Sequence, residues 1–189
     1  MPIRPYVRIR LRQEGGFGLI ELLMAITMLN IGILAIVAAF NSGIVTLRRS
    51  SMVATASVLA DQQMELYRAV TWDQIALDSN ALSTVDNTYK CDSALGSSCP
   101  GSTGSEVATN CGTTTNQCNP SRSVTGPDRH KYRVDTYVLS DHPAAQSRTV
   151  RKVTVVVRDG TQLSRTLARE TSTFDCSTAL PYAPGCPTS

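Results

Sequence analysis

Residues Phe17–Phe40 read FGLIELLMAITMLNIGILAIVAAF and form the longest apolar run of the 189-residue chain. Downstream of Glu21 the sequence stays uncharged as far as Leu47. A helix needs about 20 apolar residues to cross the hydrocarbon core of a bilayer. The run therefore predicts a membrane-spanning helix, since the apolar core of a cleaved secretory signal is only roughly 7–15 residues long.

The residues before this run are basic. Four Arg side chains oppose a single Glu within residues 1–16, and this excess equals the formal net charge of +3 of the whole chain. The remainder is formally neutral, so the pI of about 8.6 does not indicate a nucleic-acid-binding surface. By the positive-inside rule, the basic end stays in the cytoplasm and the part after the helix is exported.

One carboxylate, Glu21, lies inside the apolar run. An ionised side chain at the centre of a bilayer is unfavourable by about 2.5–3.5 kcal/mol, and the cost falls towards the interface. The residues alone leave two explanations open. Glu21 either extends to the cytoplasmic interface, as in many membrane helices, or it serves a function that requires its charge.

The segment Gly15–Leu23, GGFGLIELL, resembles the class III signal of type IV pilins and pseudopilins. The resemblance implies that a membrane prepilin peptidase cuts after Gly16 and methylates the new amino terminus at Phe17. It further implies that Glu21 neutralises the terminal amine of an adjacent subunit, because opposite charges attract strongly in a medium of low dielectric constant. The following stretch, Leu22–Phe40, is most similar to minor pilins of the pilus-modification class.

Beyond the apolar run the helical pattern continues. Apolar residues recur at steps of three and four from Met52 to Val70, and no proline interrupts the chain before Trp72. We predict one helix of about 50 residues. Its first half, 17–47, would lie in the membrane or the core of a filament, and its amphipathic half, 48–72, would pack on a small domain.

The next segment is polar and rich in cysteine. More than half of residues 91–126 are Ser, Thr, Gly or Asn, so their order should depend on cross-links. In pilins the stretch between the helix and the sheet is an exposed variable loop, and the resemblance implies the same for 73–127. The chain has six Cys and no CxxC pair, which favours disulfides over a zinc site. Among the possible connectivities, short loops favour the pairs Cys91–Cys99, Cys111–Cys118 and Cys176–Cys186.

Three strand-like stretches follow. Residues 132–139 alternate in polarity, Val153–Val157 is rich in valine, and Gln162–Phe174 follows Asp159–Gly160, a dipeptide typical of a type I′ hairpin turn. We predict an antiparallel sheet within 128–175, laid on the second half of the helix and followed by a cysteine loop at 176–189. This is an α+β architecture, and it resembles the pilin fold.

The sequence contains no recognisable catalytic motif, cofactor-binding motif or metal-binding motif. His130 and His142 belong to no nucleophile motif, and we expect them to be structural or surface residues. The resemblance implies a minor type IV pilin whose partners are prepilin peptidase, other pilin subunits, an inner-membrane assembly platform and, before assembly, the bilayer. Binding of DNA or a surface is not indicated.

Three alternatives remain. The first is a pseudopilin of a type II secretion or competence system, which the helix cannot distinguish from a pilin. The second is an ordinary single-pass protein with an exported binding domain, and the third is a secreted enzyme, which the sequence supports least.

Overall fold

The computed structural model describes Gly16 and residues 18–96, 98–101, 105–111, 117–141 and 149–176. The chain divides between Leu47 and Arg48 into two compact units, and helix α1, Leu19–Arg68, belongs to both. The other elements are a 3-10 turn at Trp72–Gln74, β1 Leu77–Asp78, α2 Ser79–Ser83, α3 Asn87–Lys90, a 3-10 turn at Ser93–Leu95, β2 Ala108–Thr109, β3 Ser121–Thr125, β4 Lys131–Asp141, β5 Val150–Asp159 and β6 Thr166–Asp175.

Helix α1 has 50 residues, and the expected long apolar helix is present. It ends at Arg68, four residues before Trp72. Within the second unit one face of α1 is buried, and its buried residues are spaced by three or four positions, as the amphipathic pattern requires. These residues are Ala56, Leu59, Ala60, Gln63, Met64 and Tyr67.

The main sheet has four strands in the order β3-β4-β5-β6, and all three pairings are antiparallel. The three predicted strands are β4, β5 and β6. Strand β4 is the longest, and it pairs with β5 from Tyr132 opposite Asp159 to Asp141 opposite Val150. β1 and β2 form a separate two-stranded parallel ladder.

Both faces of the sheet are covered. Successive residues of a strand point to opposite faces, so Val134, Thr136 and Val138 share one face and Arg133, Asp135 and Tyr137 share the other. The first face packs on α1, where Glu170 of β6 forms an ion pair with Arg68 at 3.6 Å. The second face is covered by residues 79–96, which we call the covering segment; its Tyr89 stacks on Tyr137 with ring centroids 4.3 Å apart.

The variable loop predicted at 73–127 is wrong in its extent. Short helices and 3-10 turns begin directly after α1, and β3 joins the main sheet. The polar composition concealed these elements because they are short. Asp side chains cap α2, α3 and the second 3-10 turn, accepting backbone N–H bonds at 2.8–2.9 Å. Local capping of this kind favours short helices in a sequence with few apolar residues.

The hairpin of β5 and β6 is present, but the predicted type I′ turn is wrong. The strands are joined by a six-residue loop, 160–165, rather than by two residues. Gly160 is needed there for close approach, because a Cβ atom at that position would lie 2.5 Å from the carbonyl oxygen of Lys131. Its N–H donates to the same oxygen at 2.8 Å, and this bond fixes the loop against β4.

Candidate functional site

The start of α1 carries the residues that the sequence singles out. Gly16 is exposed and precedes the helix, while Glu21 lies in its first turn and donates its backbone N–H to Gly18 O at 2.9 Å. A carboxylate near the amino terminus of a helix interacts favourably with the helix dipole. Phe17 is outside the described residues, so its expected cleavage and methylation stay predictions.

The apolar part of α1 is exposed along its whole length. No residue from Gly18 to Leu47 is buried, and the exposed fraction of Leu19 reaches 78%. By length and composition this helix could span a membrane, consistent with a single-pass anchor. An apolar surface of this extent is far larger than soluble monomers normally leave exposed, and such surfaces mark membrane or subunit contacts.

Two hydroxyl groups in this part of α1 are satisfied within the helix. Thr27 Oγ1 donates to Met24 O at 2.8 Å, and Thr46 Oγ1 donates to Ser42 O at 3.0 Å. In a bilayer a hydroxyl group without a partner is unfavourable, so these local bonds suit a helix that faces lipid or other apolar helices.

Six alternating charges lie on the sheet face that is turned away from α1. We call them the ion chain, and its members in order of contact are Asp86, Arg133, Asp135, Arg158, Asp92 and Arg169. Asp135 is completely buried at the centre. It accepts bonds from Arg133 Nε at 2.7 Å and from Arg158 Nε at 3.0 Å. Each buried charge therefore has a partner of opposite sign, as burial requires.

The ion chain ties the covering segment to three strands. Asp86 caps α3 by accepting Tyr89 N at 2.9 Å, and its carboxylate also takes two bonds from Arg133, at 2.5 and 2.7 Å. The bonds from Arg133 lower the pKa of Asp86 to about 2. Asp92 caps the following 3-10 turn and binds Arg158 and Arg169 of β5 and β6. The same carboxylates thus cap the short helices and hold them on the sheet.

A second arginine contact fixes the connection after α1. Arg151 of β5 donates from Nη1 to the carbonyl oxygens of Trp72, Asp73 and Ile75 at 2.5, 2.9 and 2.7 Å. Its guanidinium carbon lies 4.0 Å from the centre of the Trp72 ring, a cation–π contact. The indole N–H of Trp72 donates to Phe174 O at 3.2 Å. These bonds satisfy carbonyl groups at the end of the 3-10 turn.

His130 joins two turns at one end of the sheet. Its Nε2 lies 3.0 Å from Asp159 Oδ1, which also accepts the N–H and hydroxyl of Thr161 at 2.9 and 2.6 Å. Burial alone would raise the pKa of Asp159, but the bonds from Thr161 and His130 outweigh it and lower the pKa to about 2. The other histidine, His142, lies outside the described residues.

Two of the three favoured cysteine pairs are present. Cys91 is bonded to Cys99 and Cys111 to Cys118, with Cα atoms 4.5 and 6.4 Å apart. The pair Cys176–Cys186 stays a prediction because Cys186 lies outside the described residues. Structural disulfides form and persist in oxidising compartments, so these two agree with an exported domain.

The part of the chain that the structure describes contains no group of three or more His, Cys, Asp or Glu residues that could hold a metal ion. Sequence analysis did not find the ion chain. Arg133, Asp135 and Tyr137 share one strand face, and such a face is typical of one open to water, so it gave no sign of burial. The partners Asp86 and Asp92 gave no signal, because their contacts depend on the tertiary fold.

Comparison with known proteins gives no relative, since no family model, no curated protein and no solved structure matches the chain.

Proposed function

We propose that this protein is a minor type IV pilin, made as a precursor that prepilin peptidase cleaves between Gly16 and Phe17. The observation that carries the proposal is helix α1. Its exposed apolar part starts with an acid in the first turn, and the same helix continues into a unit with an antiparallel sheet. The GGFGLIELL segment at its start supports the same conclusion.

The proposed mechanism depends on packing and charge rather than on catalysis. Before assembly, α1 anchors the protein in the inner membrane with residues 1–16 in the cytoplasm and the domain exported. In the pilus the apolar parts of neighbouring α1 helices pack together, which removes their side chains from water and lipid. The carboxylate of Glu21 then pairs with the methylated amine of Phe17 on the adjacent subunit, and neither charge is left alone in an apolar environment.

The mature amino terminus tests this proposal directly. When the full chain is expressed with prepilin peptidase, we expect intact-mass analysis and amino-terminal sequencing to show a chain that starts at N-methylated Phe17. Without the peptidase, the chain should keep residues 1–16. A mature protein that keeps this segment in the presence of the peptidase would contradict the proposal and favour an ordinary single-pass anchor with an exported binding domain.

A variant of the cleavage site gives a second prediction. Gly16→Leu should reduce the processed fraction at least tenfold, because the resemblance implies a peptidase subsite that takes a small residue. An added Cβ at Gly16 meets no atom within 4 Å, so the fold itself should tolerate the change. Gly32→Leu is the matched control, since its Cβ also meets nothing within 4 Å and it lies away from the cleavage site. Normal processing of Gly16→Leu would show that the cleavage site is elsewhere.

A pseudopilin of a secretion or competence system would share α1 and its processing. The two functions differ in the structure that the subunit enters. Isolation of sheared surface filaments that contain the mature chain supports the pilin, whereas retention in the envelope of cells whose filaments lack it supports the pseudopilin.

A further inference from the structure

Glu106 is a buried acid in a short strip, 105–111, at the edge of β4. The exposed fraction of this residue is 7%. It lies opposite Leu139 in an isolated antiparallel bridge, and the next residue, Val107, donates its N–H to Val138 O at 2.8 Å. The strip thus extends the main sheet beyond β3 through very few backbone bonds.

Three oxygen atoms lie close together at this acid: Glu106 Oε1, the hydroxyl oxygen of Tyr89 and the backbone oxygen of Thr136. Tyr89 Oη lies 2.5 Å from Glu106 Oε1 and 2.7 Å from the backbone oxygen of Thr136. Thr136 turns its backbone towards this edge, where its N–H donates to Pro120 O at 2.8 Å. The hydroxyl of Tyr89 has one proton, and a backbone oxygen can only accept. If Glu106 is ionised, one proton must serve two contacts and one of them is repulsive.

A neutral Glu106 supplies the second proton that these two contacts need. Its carboxyl O–H donates to Tyr89 Oη, and the Tyr89 hydroxyl then donates to Thr136 O, so that both short contacts are hydrogen bonds. Because Glu106 Oε2 is buried without a hydrogen-bond partner among the described residues, nothing stabilises a full negative charge there.

The ionisable groups around Glu106 also favour its neutral form. Burial raises the pKa of Glu106 from its ordinary value of 4.5 to about 7, although the bond with Tyr89 acts in the opposite direction. Tyr67 of α1 interacts electrostatically with Glu106, and Tyr89 of α3 also interacts with Tyr137 and Asp135 of β4. The facing groups are therefore tyrosines and an acid. Arg122 of β3 is a cation in this set, and its interaction is with Tyr67 rather than with Glu106.

We propose that Glu106 is a proton-dependent latch, which holds residues 105–111 on β4 when neutral and releases them when ionised. Ionisation breaks the carboxyl O–H bond and the proton leaves to water. The carboxylate that remains can be hydrated only if the strip opens. Opening also breaks the bond from Leu77 N to Val107 O, at 2.9 Å, and the bond from Cys111 N to Asp78 Oδ2, at 3.2 Å.

The direction of the pH effect follows from the raised pKa. The folded state binds the proton of Glu106 more tightly than the unfolded chain, so its contribution to stability is fully present below about pH 4.5. It is lost as the pH rises through about 7. Between these two values the opening equilibrium of the strip should rise about tenfold per pH unit, and above about pH 7 it should level off, because Glu106 is then ionised in both the closed and the open strip.

Hydrogen exchange of the full chain in detergent micelles tests the latch. After correction for the intrinsic exchange rate, we expect the amide of Val107 to lose about tenfold in protection for one pH unit of rise between pH 5 and pH 6.5, and to lose little more above pH 8, because only the closed strip holds the proton of Glu106 in this range. Glu106→Gln keeps a neutral donor at this position and should remove the pH dependence. Glu65→Gln, at an exposed position of α1, should behave as the unchanged chain.

Two results would overturn the latch. One is a pH dependence in Glu106→Gln equal to that of the unchanged chain. The other, which needs no variant to fold, comes from carboxyl ¹³C chemical shifts of the glutamate-labelled protein. We expect one buried carboxyl with a midpoint near pH 7, whereas ionisation of every Glu below pH 5 would contradict the proposal. Neither measurement depends on the pilin assignment.

Discussion

Replacing Glu21 with Val should abolish incorporation into filaments and leave membrane insertion intact. The substitution makes the apolar part of α1 more apolar, so the helix should insert at least as well. In the assembled filament, however, the amine of Phe17 on the next subunit would be left in an apolar environment without its partner. Breaking a buried ion pair in this way costs about 3–5 kcal/mol, which corresponds to at least a 100-fold loss of incorporation.

The measurement is the ratio of the subunit in sheared filaments to the subunit in membranes, determined by immunoblot. Glu65→Val is the control, because Glu65 lies on an exposed part of α1 where its side chain pairs only with Arg68 among the described residues. Glu21→Gln separates charge from shape. If the Gln variant enters filaments normally, the pairing of Glu21 with the amine of Phe17 is not what drives assembly.

The second large effect concerns the ion chain. Asp135→Ala should lower the free energy of unfolding by about 3–5 kcal/mol, because it removes the buried partner that Arg133 and Arg158 share. Trp72 is the only tryptophan of the chain and lies against Arg151, so its fluorescence reports on the unfolding of the second unit. Denaturant unfolding of the full chain in detergent micelles gives the measurement.

Asp141→Ala provides the matched control at the exposed end of the same strand. A change within about 0.5 kcal/mol is expected there, as for most surface substitutions. If Asp135→Ala and Asp141→Ala had equal effects, the ion chain would contribute nothing beyond ordinary surface charges.

Helix α1 could be predicted from the sequence because its signal is local. The apolar run from Phe17 to Phe40 and the three-to-four spacing that follows are properties of neighbouring residues. The same holds for β5, whose run of valines requires burial on both faces. The short cysteine pairs Cys91–Cys99 and Cys111–Cys118 were accessible for the same reason.

Strand β3 could not be predicted in this way. Its sequence, SRSVT, has one apolar residue, and the segment forms a strand because β4 offers it an edge in an antiparallel register. Tertiary contacts often override a weak local preference for strand structure.

The burial of Glu106 could not be predicted from its neighbours in the sequence. Glu106 lies between a serine- and glycine-rich stretch and a threonine- and asparagine-rich stretch that predict an exposed loop, yet the hydroxyl of Tyr89, 17 residues earlier, contacts it at a buried site and also contacts the backbone oxygen of Thr136 on β4. The ion chain has the same origin, since Asp92 and Arg169 are 77 residues apart in sequence. The residues around a charged side chain do not indicate its distant partners. These contacts form only in the folded structure, where the covering segment lies on the strands.

The strand order has a consequence for the order in which the second unit folds. Strands that are consecutive in the main sheet are also consecutive in the chain, so pairing needs only short loop closures and can proceed in the order of synthesis. The covering segment is made earlier but completes its contacts later, because Asp92 binds Arg169 of β6 in addition to Arg158 of β5. Folding should therefore run from β3 towards β6 and finish backwards along the chain. A subunit truncated before β6 should keep its first hairpin and the contact of Asp92 with Arg158, but the loss of Arg169 should leave the covering segment more open to proteolysis.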